Sequence, residues 1–352
     1  MKIHRIASIP GDGIGVDVTA EARKVLDRAA ERHGFGLEWT EFDWSCERYT
    51  RTGSMMPPDG IERLSAFDGI LLGAVGFPGV PDHVSLWGLL IPVRRAFAQY
   101  VNLRPVRLLP GVESPLAGRT AEELEMVIVR ENSEGEYSAI GGRHNAGQPG
   151  EFAIQESVFT RVGVERVVRF AFELAGERSG RVCSATKSNG LIHSMPFWDE
   201  IFAEVAAGYP DIYSEQCHVD ALAARMVQHP ERLDVVVGSN LFGDVLSDLA
   251  AAVTGGLGLA PSGNVNPPGD HPSMFEAVHG SAPDIAGKGI ANPVAQVLAG
   301  AMMLEHLGEA EAARAVDRAV SDVLAERSAV TPDLGGSGTT AALGSAIAAA
   351  LR

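Results

Sequence analysis

Asp244 and Asp248 stand four residues apart in NLFGDVLSD, where Leu241, Phe242, Val245, Leu246 and Leu249 repeat at helical spacing and make one apolar face. On a helix the two carboxylates lie one above the other beside that face. Stacked in this way they repel by about 0.2–0.5 kcal/mol in water. A hard divalent cation, which takes carboxylate oxygens, would reverse that sign. A solvated helix flank, with Asp244 favoured near the positive N-terminus, explains the pair equally well without a metal. Other charged residues fall at comparable places. Lys187 stands in CSATKSN and Asp220 follows QCHV, each at or just past a run that reads as a strand. Open α/β sheets gather ligands at such carboxyl ends. Arg94, Arg104 and Arg130 lie in PVRRAFAQYVNLRPVRLL and at the head of RENSEGEY. Guanidinium groups are the preferred bidentate partners of carboxylates, so three that met at one mouth of a sheet would hold an anionic substrate. Each arginine taken singly is as well explained as surface charge.

The surrounding pattern supplies the elements that must position these groups. Residues 3–9 read as a strand, followed by PGDGIG and a helix from about Val16 to His33, stopped by Gly34. Gly11, Gly13 and Gly15 do not give the G-x-G-x-x-G spacing, so this turn is not the dinucleotide fingerprint. Phe67–Gly73 reads as a strand, and the loop AVGFPGVPDHVSLWGLL leads to a helix with Pro92 near its start. Leu124–Arg130 is another strand. Residues 138–160 read as a loop or hairpin and then a strand, a weakly apolar projection suited to contact with another subunit. From Val162 onward, helix and strand alternate through Arg181–Thr186, Met195–Ala206, Ile212–Cys217, His218–Gln228 and Leu233–Val237. This predicts βαβ units on a mainly parallel sheet. Past Gly255 the chain reads as irregular. FEAVHGSAPDIAGKGIANP forms a structured loop whose His, Ser, Asp, Asn and glycines suit a nucleotide. Helices Val294–Leu304, Ala310–Glu326 and Thr339–Leu351 close the chain.

Composition excludes several classes. The chain has 352 residues, 45% of them hydrophobic, enough for about two domains with their own cores. A net charge of −16 with no Lys/Arg cluster argues against a nucleic-acid partner, and an anionic substrate needs basic residues gathered locally against that field. Cys46, Cys183 and Cys217, at unrelated spacings, are neither a disulfide framework nor a zinc site and fit a reducing cytosol. No apolar run has the length of a membrane span, and MKIHRIASIPGDGIG has no signal-peptide core. A cytoplasmic protein without membrane partners is expected.

IPGDGIG, NLFGDVLSD and VHGSAPDIAGKGIANP resemble, nearly end to end, the β-decarboxylating dehydrogenases of 2-hydroxy acids, the isocitrate/isopropylmalate dehydrogenase family. DHVSLWGLL, RRAFAQYVNLRPVRL, VRENSEGEYS, IQESVFTR and SATKSNG are similar to its tartrate/D-malate branch. The resemblance implies an α/β fold of two domains flanking a cleft, residues 1–101 with 256–352 on one side and 102–255 on the other. The second domain would form a homodimer, with residues 138–160 as a clasp. It further implies Mn²⁺ or Mg²⁺ on Asp244 and Asp248, completed by Asp220 of the partner subunit. Arg94, Arg104 and Arg130 would hold the substrate carboxylates. Tyr137 and the partner subunit's Lys187 would be the acid/base pair, with Asp220 assisting proton movement. NAD would lie on His279, Gly280, Ser281, Ala282, Asp284 and Asn292, and Asp284 would disfavour a 2′-phosphate. A monovalent cation is a candidate third cofactor. Trp87 stands ahead of Arg94, where its indole would fill the space a larger carbon-3 substituent needs, although packing is its commoner role. The implied activity is NAD- and divalent-metal-dependent oxidative decarboxylation of a small 2-hydroxy dicarboxylate. 3-Isopropylmalate dehydrogenase is the alternative among enzymes. Outside enzymes it is a non-catalytic regulatory subunit, which the presence of Tyr137, Lys187 and all three aspartates argues against.

Overall fold

The alternation of strands and helices holds along the chain, with four strands the hydrophobic pattern did not signal. The structure, a computed structural model, describes residues 2–352. It begins β1 (Ile3–Gly11), α1 (Ile14–His33), β2 (Gly36–Glu41), α2 (Cys46–Thr52), α3 (Gly60–Leu64) and β3 (Gly69–Ala74). A helical run comes next, made of α4 (Asp82–Ser85), a π turn (Leu86–Leu90) and α5 (Ile91–Ala96). After it stand β4 (Val101–Arg107), β5 (Glu125–Glu131), the hairpin strands β6 (Gly141–His144) and β7 (Phe152–Gln155), and α6 (Arg161–Gly176). The chain continues through β8 (Arg181–Thr186), α7 (Ser194–Ala206), β9 (Tyr213–His218), α8 (Val219–Gln228), β10 (Val235–Gly238) and α9 (Asn240–Val253). It closes with β11 (Pro261–Val265), β12 (Ser273–Ala277), α10 (Val294–His306), α11 (Ala310–Glu326) and α12 (Thr340–Ala350).

Ten strands form one sheet in the order β2-β1-β3-β12-β11-β4-β5-β10-β8-β9. Its two wings are parallel, as expected. The middle is antiparallel, at β12–β11, β11–β4 and β4–β5. Each wing is packed on both faces. On the first, Leu26, Val297, Val320 and Ile347 cover one side, and Trp44, Leu64, Val93 and Phe97 the other. On the second, Phe172, Trp198 and Val235 oppose Met226, Leu246 and Val236.

The antiparallel middle joins the wings and is held by amides rather than aliphatics. Asn102 Nδ2 donates to Ser262 Oγ at 2.8 Å and Asn264 Oδ1 at 3.1 Å, and Asn132 Nδ2 donates to the same Asn264 Oδ1 at 2.9 Å. Residues 256–293, read as irregular, therefore contain two fully buried strands. Their Pro, Ser, Gly and Asn content gives no hydrophobic signal, and the strands stand because each buried polar group finds partners. The loop read ahead of Pro92 is helical for the same stretch that carries Trp87. Ile91 N–H bonds to Leu86 O, five residues back, and Pro92 has no N–H to leave unpaired.

One apolar stripe divides. On α9, Leu246 is buried and Phe242 and Leu249 pack beside it, but Leu241 and Val245 face outward at 39% and 58% exposure. The β6–β7 hairpin falls within residues 138–160 and also shows Ile140, Phe152 and Ile154 to the exterior.

Candidate active site

The turn after β5 is built from its own acids. Glu131 is buried and accepts from Ser133 Oγ at 2.6 Å and Glu134 N–H at 2.8 Å; burial pushes its carboxyl up. Glu134 accepts from Thr160 N–H at 2.8 Å and Oγ at 2.9 Å, beside the start of α6. Glu136 accepts from Ser239 Oγ at 2.7 Å and Leu241 N–H at 3.0 Å, at the start of α9, where helix ends favour a carboxylate. These contacts fix Tyr137 relative to α9 and hence to Asp244.

Arg94, Arg104 and Arg130 do meet. All three are buried and line a cavity of about 230 Å³ with Tyr137, Asp244, Leu86, Leu90, Glu276 and His279. Arg130 pairs with Asp244 and holds Asn240 Oδ1 through Nε at 3.0 Å and Nη2 at 2.7 Å. Arg104 Nη1 reaches Ser247 Oγ at 2.7 Å, Asp244 at 3.2 Å and Asp248 at 3.5 Å. Tyr137 OH donates to Asp244 Oδ2 at 2.9 Å. Arg94 pairs with Glu276 at 3.1 Å, a partner that residue type and spacing do not announce. The close approach of α9 to β5 needs Gly243, since a Cβ there would stand 2.6 Å from Arg130 Cβ.

Charge in this cavity is finely opposed. Burial raises the Asp244 carboxyl, but Arg130 and then Arg104 outweigh it and hold the group below the ordinary value. Burial dominates at Asp248, whose carboxyl is raised. Burial and the neighbouring Arg104 bring Arg130 down to about 10, so it stays cationic at neutral pH. Tyr137 is raised by burial and by Asp244 and keeps its proton. Arg94 Nε and Arg104 Nε are buried donors without partners, a fit for an incoming anion.

Lys187 and Asp220 come together with each other, at 2.7 Å, but not with this cluster. Their side chains are 31% and 69% exposed, so within one chain Lys187 lacks the desolvation expected of a catalytic base. Among the described residues no three His, Cys, Asp or Glu side chains stand together as metal ligands. One chain brings Asp244 and Asp248 close to shared guanidinium groups, a place where positive charge is already accommodated, and leaves Asp220 elsewhere.

The glycine-rich turn and the His279 loop are one structure. Ile14 N–H bonds to Ser281 O at 2.8 Å, and a Cβ on Gly13, at φ 57°, would stand 2.1 Å from that oxygen. Asp12 ties the turn down by accepting from Cys46 N–H at 2.9 Å and Gly76 N–H at 3.1 Å. Ala282 has a positive φ of 37°. His279 Nδ1 lies 2.9 Å from Gly280 O, while its Nε2 is buried without a partner. An orphaned acceptor on the cavity wall fits a polar cofactor edge. Asp284 is exposed on the same loop. Asn292 is occupied, donating to Asp333 at 2.9 Å and capping Val294 N–H at 3.0 Å. Trp87 is not on the cavity wall; Leu86 and Leu90 are, and Trp87 stacks against Arg95 one position further round the helix.

A two-winged α/β sheet whose strand ends gather buried arginines and aspartates beside a glycine-bound histidine loop is suited to hold a small anionic molecule. The isocitrate/isopropylmalate dehydrogenase family model matches residues 5–347, and the chain belongs to that family. It is 55% identical to the D-malate dehydrogenase [decarboxylating] of Escherichia coli (strain K12), over 99% of this chain and 98% of the relative. It is 53% identical to the tartrate dehydrogenase/decarboxylase of Pseudomonas putida, over 97% and 96%. Among solved structures, the isocitrate dehydrogenase of Methylococcus capsulatus superimposes with a TM-score of 0.90 at 37% identity, over 99% of both chains.

Proposed function

We propose that this chain catalyses NAD- and divalent-metal-dependent oxidative decarboxylation of D-malate or tartrate. The observation that carries the reading is the meeting of Arg94, Arg104 and Arg130 with Tyr137 and Asp244 in one cavity of about 230 Å³. Full-length identity near one half to enzymes named for these substrates supports it. The arginines hold the two carboxylates and set carbon 2 and carbon 3 in place. Asp244 and Asp248 would hold Mn²⁺ or Mg²⁺, and His279 with the 280–284 loop would hold NAD. The ion held there would supply Lewis acidity toward the substrate hydroxyl, and NAD on the His279 loop would supply the hydride acceptor for carbon 2. Lys187 takes the hydroxyl proton. Carbon dioxide leaves carbon 3 as electrons flow toward the new carbonyl, and Tyr137 then gives its proton to carbon 3.

Lys187 and Asp220 complete this site only if they come from a second chain, so the working unit is a homodimer with shared sites. The outward apolar residues of α9 and of the 138–160 hairpin support such an interface. We assign the wings to domains of residues 1–101 with 256–352 and 102–255, and the enzyme to the cytoplasm. A second reading, 3-isopropylmalate as substrate, draws on Leu86 and Leu90, an apolar cavity wall that would suit a branched alkyl group.

The test measures reduced nicotinamide with D-malate, tartrate and 3-isopropylmalate in turn. D-malate or tartrate should be turned over best, chelator should abolish the rate, and Mn²⁺ or Mg²⁺ should restore it. Preference for 3-isopropylmalate would select the second reading. Full activity after exhaustive chelation would remove the metal from the mechanism.

A further inference from the structure

Arg95 lies next to the substrate arginine Arg94 but does not share its cavity. Its Nη2 donates to the backbone carbonyl of Tyr137 at 3.0 Å. Its guanidinium sits 5.3 Å from the centre of the Trp87 ring, within cation–π range. The contact crosses the molecule from α5 to the turn after β5, so it spans the two sides of the cavity. The π turn makes this possible. One added residue rotates the downstream helix by about 100°, the step of a single helical residue. Leu86, Leu90 and Arg94 thereby share the cavity face, and Trp87 and Arg95 share the neighbouring one.

Tyr137 has two kinds of anchor. Its hydroxyl is held by Asp244 at 2.9 Å, and its ring lies 5.4 Å from the Arg130 guanidinium. The first anchor must be given up when Asp244 serves a metal and the phenol turns to substrate. The backbone bond from Arg95 is untouched by that exchange. We propose that Arg95, clamped by the face of Trp87, is a positioning residue that holds Tyr137 in register for proton donation to carbon 3. Trp87 on this account acts through Arg95 and not by filling the substrate pocket. The inference rests on Tyr137 being the final proton donor.

Arg95→Ala and Arg95→Lys are compared with wild type and with Tyr137→Phe. Lysine keeps an N–H donor that ends one bond short of Nη2. In the protein without ligands, amide hydrogen exchange over residues 133–140 should quicken in Arg95→Ala and lie closer to wild type in Arg95→Lys. With substrate, Arg95→Ala should lower kcat roughly 10- to 100-fold, the scale of a small misplacement of a reacting group. The isotope effect of deuterium at carbon 2 should shrink, and a solvent deuterium effect should grow, because proton donation becomes the slow step. Trp87→Ala should reproduce the loss, and adding it to Arg95→Ala should cost little more. Arg95→Ala combined with Tyr137→Phe should be no slower than Tyr137→Phe alone. Unchanged exchange over 133–140, or a kcat within about twofold of wild type, overturns the assignment. Exchange over 133–140 as fast in Arg95→Lys as in Arg95→Ala also overturns it, since a retained N–H donor would then give that turn no support. A wild type inactive on both D-malate and tartrate would instead bring down the functional reading beneath it.

Discussion

Gly243 shows how one missing Cβ sets the active-site geometry. It lets α9 lie against β5 closely enough for Asp244 to reach Arg130, while a methyl group would meet Arg130 Cβ at 2.6 Å. The obstacle is main-chain and Cβ atoms, which have little room to yield. Gly243→Ala should therefore cost about 1–3 kcal/mol in denaturant unfolding, the range of overpacked cores. It should also raise KM for the dicarboxylate, because Arg130 must move. Native-like stability and KM would show that α9 can slide away freely. His279 supports a pH experiment. Burial, against the weaker pull of Gly280 and Asp333, holds it below the ordinary histidine value of 6.5. The unfolded chain then takes up the proton first as pH falls. The contribution of His279 to stability is whole above that value and is lost progressively below it. Unfolding measured in the ligand-free protein between neutral and mildly acid pH should lose stability with falling pH. His279→Gln should flatten that slope, and an unchanged slope would assign it to other groups.

At the scale of elements, what could be read in advance depends on the source of each signal. In the parallel wings β3, β5, β8 and β10 were legible as apolar runs beside amphipathic helices, whereas β2, GLEWTE, is half exposed and carried no such signal. The antiparallel middle was not legible either, since β4 carries Pro105 and β11 reads PSGNV. Such strands are set by amide pairs between residues more than a hundred positions apart, as in Asn102 with Asn264. The gathering of the three arginines, left open by residue type and place, is what the structure adds, with Asp244 and Asp248 beside them. Glu276 and Arg95 were not legible, because their roles depend on partners the chain brings from elsewhere. The same distinction gives Glu136 its interest. It looks like one more acid in ENSEGEY, yet it bonds Ser239 and Leu241 N–H at the start of α9. Glu136→Ala should cost about 0.5–2 kcal/mol, as loss of a helix cap does. It should also lower kcat, since Tyr137 and Asp244 lose a common support. Thermal unfolding and steady-state rates would separate this from a solvent-exposed acid, whose removal changes neither.

For the whole molecule, the decisive question is why a chain of net charge −16 keeps Lys187, the base in the proposed reaction, outside its own cavity. Among the described residues Lys187 Nζ pairs only with Asp220, at 2.7 Å, in a partly exposed pair of the kind that is worth little on its own. A pair so weakly committed is free to be recruited. Nearby, Leu191 and Ile192 are exposed, and the outward stripe of Leu241 and Val245 runs along the helix that carries Asp244. A second copy covering these apolar residues would remove them from water, while salt screens the repulsion between two acidic chains. The partner subunit's Lys187 would enter beside Asp244 and Asp248 together with Asp220, a pair of no net charge. Two inactive chains should then rescue each other. Lys187→Ala lacks the base and Tyr137→Phe lacks the acid, but a mixed dimer has one site with both groups intact. With random exchange about half the dimers are hybrids, and each has one good site out of two. Mixing equal amounts after verified subunit exchange should therefore recover roughly a quarter of the wild-type rate, given that only dimers with one intact site contribute. Recovery near zero with exchange proven by mass spectrometry would mean that Lys187 and Tyr137 work within one chain, and the separation of the two clusters would then have to close by movement within it.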